Sequence, residues 1–290
     1  MVIAVASGKG GTGKTLVASG LADVLSAEGG MSVLLVDCDV EEPNAHLFLR
    51  PVIERVEEVH HLVPEVDADL CTLCGRCAQV CEFHAIAVLP TKVLVFPEMC
   101  HACGSCARQC PEGAISEVPQ LLGRLEFGHA GDIGFAHGIL KVGQALATPV
   151  IRELKRKAAP APGDSTTLIY DAPPGNACSV VETLEDSDFA LLVTEPTPFG
   201  LHDLKLAVEL ARDEMGLPVG VVVNRFGLGD AGVEEYCAAA GVPVLARIPF
   251  DANIARAYSD GQLWTRALPQ YRSLVMSIAQ AALAATGVRS

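Results

Sequence analysis

Six short apolar runs punctuate the chain, and each is continuous rather than alternating: Val2-Ile3-Ala4-Val5-Ala6-Ser7, Ser32-Val33-Leu34-Leu35-Val36-Asp37, Thr166-Thr167-Leu168-Ile169-Tyr170-Asp171, Phe189 to Thr194, Val219 to Val223, and Pro243 to Pro249. A strand covered on both faces has no solvent side, so unbroken runs of Val, Ile and Leu are what a parallel sheet between two helix layers requires. Helical spacing fills the intervals. Leu16, Val17, Leu21, Val24 and Leu25 follow the first run, and Glu28-Gly29-Gly30 ends that helix. Pro149 to Lys155 begins another, which Ala159-Pro160-Ala161-Pro162-Gly163 breaks, and Leu204, Val208, Ala211 and Met215 mark a third. Leu274 to Leu283 forms a last helix without a basic face, expected to pack on the sheet rather than bind a membrane. The alternation predicts an α/β fold, a mostly parallel sheet with helices on both faces.

The first run leads into Gly8-Lys9-Gly10-Gly11-Thr12-Gly13-Lys14-Thr15 and then into a helix. That is G-x-x-x-x-G-K-[ST] in the strand-to-helix setting that gives the motif meaning. Glycines let backbone N–H groups close around phosphate oxygens, and the helix N-terminus adds about half a positive charge there. Lys14 is expected to reach the outer phosphates and Thr15 to hold Mg²⁺. The second run ends in Asp37-Cys38-Asp39, where alternation puts both carboxylates on one side. Gly8, Asp39, Asp171, Asn224 and Pro249 all fall at carboxyl ends of strands, so one crevice is expected to gather them.

Composition narrows the partners. A net charge of −14 argues against a general nucleic-acid or anionic-membrane binder. No apolar run approaches the ~20 residues that span a bilayer. Eleven cysteines, with a phosphate loop opening at residue 8 and no room before it for a signal peptide, point to a reducing cytoplasm.

On these motifs the chain resembles the MinD/ParA-type P-loop ATPases, the CobQ/CobB/MinD/ParA superfamily with a deviant Walker A loop that includes the nitrogenase iron protein. Lys9 stands where that family has its additional lysine, and Asp37-Cys38-Asp39 matches its Asp-x-Asp. The resemblance implies that Lys9 crosses a homodimer interface to the partner's nucleotide and that Asp39, in the Mg²⁺ shell, positions the attacking water. It also implies that Asp171-Ala172-Pro173-Pro174-Gly175 is the switch II element, with Asp171 meeting Mg²⁺ through water. Asn224 and Arg225 are then the adenine site, and the backbone after Pro249 lines the base pocket. Cys178 lies near the position of an iron-protein cluster ligand, but a buried small residue is the expected role there.

From about Leu62 to Glu117-Val118-Pro119 the pattern changes. Cys71-x2-Cys74-x2-Cys77-x3-Cys81 is repeated at an offset of 29 residues by Cys100-x2-Cys103-x2-Cys106-x3-Cys110-Pro111, and Gly75, Ala78 and Ala85-Ile86 repeat as Gly104, Ala107 and Ala114-Ile115. This is the spacing of a two-cluster bacterial ferredoxin, in which the fourth cysteine of each run ligates the other cluster. Cys71, Cys74, Cys77 and Cys110 are expected to hold one [4Fe–4S] cluster, and Cys81, Cys100, Cys103 and Cys106 the other. Zinc sites and disulfides are the alternatives. Glu82 replaces the proline common after the first run.

The expected organisation is an ATPase domain in two parts, 1–61 and 119–290, interrupted at 62–118 by a ferredoxin-like α+β domain. Residues 119 to 150 show little periodicity. Gly128-His129-Ala130-Gly131-Asp132 is expected to be a polar surface hairpin, with metal binding by His129 and His137 the weaker reading. The combination implies an ATP-binding and hydrolysing homodimer coupled to electron transfer or metallocluster assembly on a client metalloprotein or cofactor carrier. An ATP-gated reductase and a MinD/ParA-type positioning ATPase are the alternatives.

Overall fold

The structure is a computed structural model and describes residues 1–286. All six apolar runs are strands of one nine-stranded sheet. In chain order the strands are β1 (Val2–Ala6), β2 (Val33–Asp37), β3 (Val52–Val66), β4 (Ile86–Val88), β5 (Val93–Val95), β6 (Ile115–Ala130), β7 (Ile133–Leu140), β8 (Thr167–Asp171), β9 (Phe189–Thr194), β10 (Val219–Phe226) and β11 (Val244–Pro249). The sheet runs β11-β10-β9-β1-β8-β2-β7-β6-β3. Every pairing from β11 to β7 is parallel, and the last two, β7 with β6 and β6 with β3, are antiparallel.

Helices cover both faces. In chain order the helices are α1 (Lys14–Ala27), α2 (Ala45–Leu49), α3 (Arg76–Gln79), α4 (Ser105–Arg108), α5 (Ala147–Ala158), α6 (Cys178–Leu184), α7 (Pro198–Val208), α8 (Gly232–Ala240), α9 (Ala252–Ser259), α10 (Trp264–Ala267) and α11 (Arg272–Ala285), of which α3 and α4 lie in the cysteine-rich segment. Ile3, Val5 and Leu35 point to the layer of α1, α9, α10 and α11, while Ala4, Val36 and Tyr170 point to that of α5, α6, α7 and α8. The closing helix α11 buries Val275, Ile278, Ala279 and Ala282 in the first layer. Trp264 is fully buried there and donates its Nε1–H to the Leu16 carbonyl at 2.8 Å. Among the described residues no helix is long and apolar enough to cross a membrane.

Three strands were not legible from periodicity: β3, β6 and β7. β3 and β6 form the antiparallel edge of the sheet, where one face is free to meet water and the unbroken apolar signature is absent; β7 is buried and parallel to β2, but Gly134, His137 and Gly138 interrupt its apolar run. In β3, Val59, His61 and Val63 turn inward, but Val52 and Val56 are 62% and 57% exposed. Leu62 pairs with Pro119 and Val63 with Val118, so the ends of the cysteine-rich segment lie inside a long two-stranded ribbon. The segment itself contains the two-stranded hairpin β4–β5 and the four-residue helices α3 and α4.

Candidate functional site

The chain leaves β1 at Ala6 and re-enters regular structure at Lys14, and the turn between them depends on glycine at two points. Gly13 has φ +99°, and a Cβ there would stand 2.4 Å from Asn224 Nδ2. A Cβ on Gly8 would stand 2.4 Å from the Asp203 carbonyl oxygen. Asn224, on β10, donates its Nδ2–H to the Thr12 carbonyl at 2.7 Å, so the neighbouring strand ties down the loop from outside. Its Oδ1 accepts the Arg225 N–H at 2.9 Å. In this structure the Asn224 amide is therefore committed to the loop.

Around Lys14 the structure assembles three carboxylates, from Asp37, Asp39 and Asp171. Burial lowers the Lys14 ammonium below its ordinary range, and the three acids pull it back up. Asp171 is buried and raised well above the usual carboxylate range, by desolvation and by Asp37, against a hydrogen bond from Thr15. Burial pushes Asp37 up to about 7, although it accepts backbone N–H bonds from Asn44 and Ala45 at 2.9 Å and from Asp39 at 3.1 Å. Those bonds bend the chain at the strand end. Asp39 is thereby carried off the strand into the loop, where alternation no longer governs its direction. Two buried oxygens beside the loop, Thr12 Oγ1 and Asp171 Oδ1, have no protein partner.

A solvent-open cleft of about 1190 Å³ lies over these groups. Gly10, Gly11, Gly13, Lys14, Thr15, Asp39, Asn224, Arg225 and Pro249 line it; Gly8, Lys9, Thr12 and Asp171 do not. Phe250, directly after Pro249, lines it where the base pocket is expected; Glu42, Asn44 and Tyr258 also line it and were not foreseen, because nothing in local sequence distinguishes them. Glu195 was missed as well, although its place one residue beyond β9 follows the strand-end rule that found the others. It forms an ion pair with Lys9 at 3.3 Å and accepts a hydrogen bond from Arg225. Arg225 is held in the left-handed region at φ +52°.

The structure brings the eight cysteines together in two groups. Cys71, Cys74, Cys77 and Cys110 line one cavity of about 350 Å³ including its open mouth; Cys81, Cys100, Cys103 and Cys106 line another of about 380 Å³. None of the chain's cysteines is in a disulfide. Left-handed residues repeat at the sequence offset, Leu73 with Ala102, Gly75 with Gly104, and His84 with Gly113. Backbone N–H groups approach sulfur in the same way, Ala85 to Cys81 Sγ at 3.2 Å and Ala114 to Cys110 Sγ at 3.3 Å. Among the described residues no three His, Cys, Asp or Glu side chains converge on a single-ion site.

Two expectations need correction. Cys178 is exposed, at the first turn of α6, because the helix turns Val180, Thr183 and Leu184 toward the sheet instead. Ala130 and Ile133 do flank a hairpin turn and His129 is exposed, but His137 is not on a polar surface. It is buried in β7, where its Nε2 lies 3.0 Å from Glu126 Oε2, and burial lowers its pKa. His129 pairs with Glu54 instead, so the two imidazoles do not share a site.

A glycine loop at the carboxyl edge of a parallel sheet, closing on a buried lysine and a strand-end acid, defines a P-loop nucleotide-binding protein. The chain belongs to the CobQ/CobB/MinD/ParA nucleotide binding domain family, which matches residues 3–264. It is 31% identical over 259 residues to an uncharacterized protein of Methanocaldococcus jannaschii, covering 88% of this chain and 87% of that one. An uncharacterized ATP-binding protein of the same organism is 27% identical over 263 residues, covering 89% and 77%. The fold is similar to that of the septum site-determining protein MinD complexed with Mg-ADP from Pyrococcus horikoshii OT3, with TM-score 0.58, 20% identity, and coverage of 97% and 94%.

Proposed function

We propose that the chain is a Mg²⁺-dependent ATPase, acting as a nucleotide-gated homodimer, that couples ATP binding and hydrolysis to electron transfer or cluster assembly through two [4Fe–4S] clusters. The client is a metalloprotein or cofactor carrier, and the setting a reducing cytoplasm.

The nucleotide half of the reading rests on fit. Thr12 Oγ1 and Asp171 Oδ1 are buried and unpartnered, which is costly unless a ligand, ion or water meets them. Loop N–H groups and Lys14 would hold the outer phosphates, with Thr15 on Mg²⁺ and Asp39 and Asp171 in its shell through water. Bound Mg²⁺ supplies neutralisation of phosphate charge, and the clusters supply one-electron transfer. Asp39 orients the attacking water, and Lys9 of each protomer reaches the nucleotide of its partner.

The cluster half rests on chemistry of the donor set. Free cysteines stand four to a cavity, crossed between the two runs, with N–H groups aimed at sulfur. They surround a space instead of a point, as a cluster needs and a lone zinc ion does not.

One observation joins the halves. Asp171 pairs with Asp37, Asp37 with His137, His137 with Glu126, and Glu126 with Val56, a single row across five strands. It runs from the phosphate-sensing acids to the ribbon that carries the cysteines. A second tie runs through α5: Arg152 pairs with Glu182 of α6, just beyond the Asp171 loop, and Lys157 with Glu57 of β3. Movement at the nucleotide therefore has a packed route to the clusters. Protein purified without oxygen is expected to carry about eight irons per chain; zinc in place of iron, with no visible absorbance, would overturn the cluster reading.

A further inference from the structure

The 29-residue repeat allows the two cysteine sites to be compared position by position. Thr72 and Glu112 line the first cavity, and their counterparts His101 and Phe83 line the second. All four side chains are exposed as well as cavity-lining, so they stand between each site and solvent. There the likeness ends. The Phe83 and His101 rings are stacked, with centroids 3.6 Å apart and planes 9° from parallel. Thr72 and Glu112 carry no aromatic ring to stack, and their hydroxyl and carboxylate are groups that water hydrates. Of the four counterpart pairs of cysteines one differs in the same sense, Cys100 being buried and Cys71 half-buried, while Cys74 and Cys103 are both exposed, Cys77 and Cys106 both buried, and Cys110 and Cys81 both half-buried.

We propose that the two sites are inequivalent, the Phe83–His101 stack making the Cys81, Cys100, Cys103 and Cys106 site the closed, slowly exchanging one and leaving the Cys71, Cys74, Cys77 and Cys110 site open to exchange with a partner. This rests on the reading that each site holds a cluster. The stack closes the mouth with two ring faces in contact, leaving only the imidazole edge for water, and must be parted before a polar reagent reaches the sulfur and iron behind it. A threonine and a hydrated carboxylate need no such opening. Iron delivery or removal would then occur at the open site while the closed cluster is retained.

The test uses the full-length, anaerobically loaded protein, kept reduced by dithionite, with an excess of bathophenanthroline disulfonate. Iron leaves as the ferrous chelate, thiolates regain protons, and sulfide departs as hydrogen sulfide. The expected record has two phases of about four irons each, separated by about tenfold or more in rate. Replacing the stack by the residues of the open site, Phe83→Glu with His101→Thr, is expected to bring the slow phase up to the fast one. The reverse exchange, Thr72→His with Glu112→Phe, is expected to slow the fast phase and keeps the test decisive if the first variant does not fold. A single phase in the parent protein, or a slow phase indifferent to the first exchange, overturns the inequivalence. Failure of the cluster reading has a different signature, which is protein that holds no iron before chelator is added.

Discussion

Lys9 is held by Glu195 of its own chain: Nζ stands 3.3 Å from Oε2, with the lysine side chain 33% exposed and the glutamate 10%. The same carboxylate also accepts Arg225, which lines the cleft, so one acid holds two cations. A lysine that serves a partner's nucleotide must first leave this pair. A half-exposed ion pair is worth at most about 1 kcal/mol, so Glu195→Gln is expected to raise the ATP-bound dimer fraction at limiting protein by up to about fivefold. Analytical ultracentrifugation with ATP and Mg²⁺ measures it. Lys9→Ala is expected to bind nucleotide normally and fail to hydrolyse it; undiminished hydrolysis by dilute Lys9→Ala protein would remove the dimer mechanism.

Lys14 is the buried cation among Asp37, Asp39 and Asp171. Lys14→Ala leaves those acids facing the phosphates without compensation, and nucleotide affinity is expected to fall by more than about a hundredfold. Titration calorimetry with ADP and Mg²⁺ reads the loss directly. Affinity within a few-fold of the parent would mean that the cleft binds something other than a nucleotide through this loop.

Asn224 fixes the loop by its bond to the Thr12 carbonyl. Asn224→Ala is expected to cost about 1 kcal/mol of stability, the net worth of one hydrogen bond, and to weaken nucleotide binding. Gly13→Ala is expected to be worse on both counts, since its Cβ would displace the same amide and its φ of +99° suits only glycine. Urea unfolding beside calorimetry on the two variants separates loop order from direct contact with the base.

A buried charge network makes a pH prediction far from the site. Asp23, on α1, accepts hydrogen bonds from Thr265 Oγ1, Arg266 Nε and Arg272 Nη1, each at 2.7 Å. Burial works against its ionisation, but these donors win and hold its pKa below the ordinary carboxylate value. A depressed folded-state pKa contributes stability above the unfolded value and loses it as pH falls through the folded one. Asp23→Asn is therefore expected to cost about 2–4 kcal/mol at neutral pH, with the gap to the parent closing only below about pH 4. Unfolding curves at several pH values check both the size and the direction.

Much of the parallel half was legible because its strands are buried on both faces and end where ligands bind. Val33 to Asp37 and Phe189 to Thr194 show this directly. The antiparallel side was hidden by half-solvated strands, as Val56 and Glu58 of β3 illustrate, and by Pro119, which reads as a boundary but sits in a paired strand opposite Leu62. The grouping of the cysteines four to a cavity, crossed between the two repeats, followed from their spacing. Glu195 and the Asn224 tether did not. They are contacts across strands, and local sequence carries no mark of the neighbour that a strand end will meet.

If Asp171 senses the γ-phosphate, the row Asp171, Asp37, His137, Glu126 and Val56 carries its movement to the ribbon from which the cysteine segment projects. The most direct measurement is the electron paramagnetic resonance spectrum of the dithionite-reduced protein with and without ATP and Mg²⁺. Cluster signals are expected whose line shape changes on adding nucleotide to the parent protein and does not change in Lys14→Ala. Cluster signals identical with and without nucleotide, in parent protein shown to have bound it, would contradict the coupling.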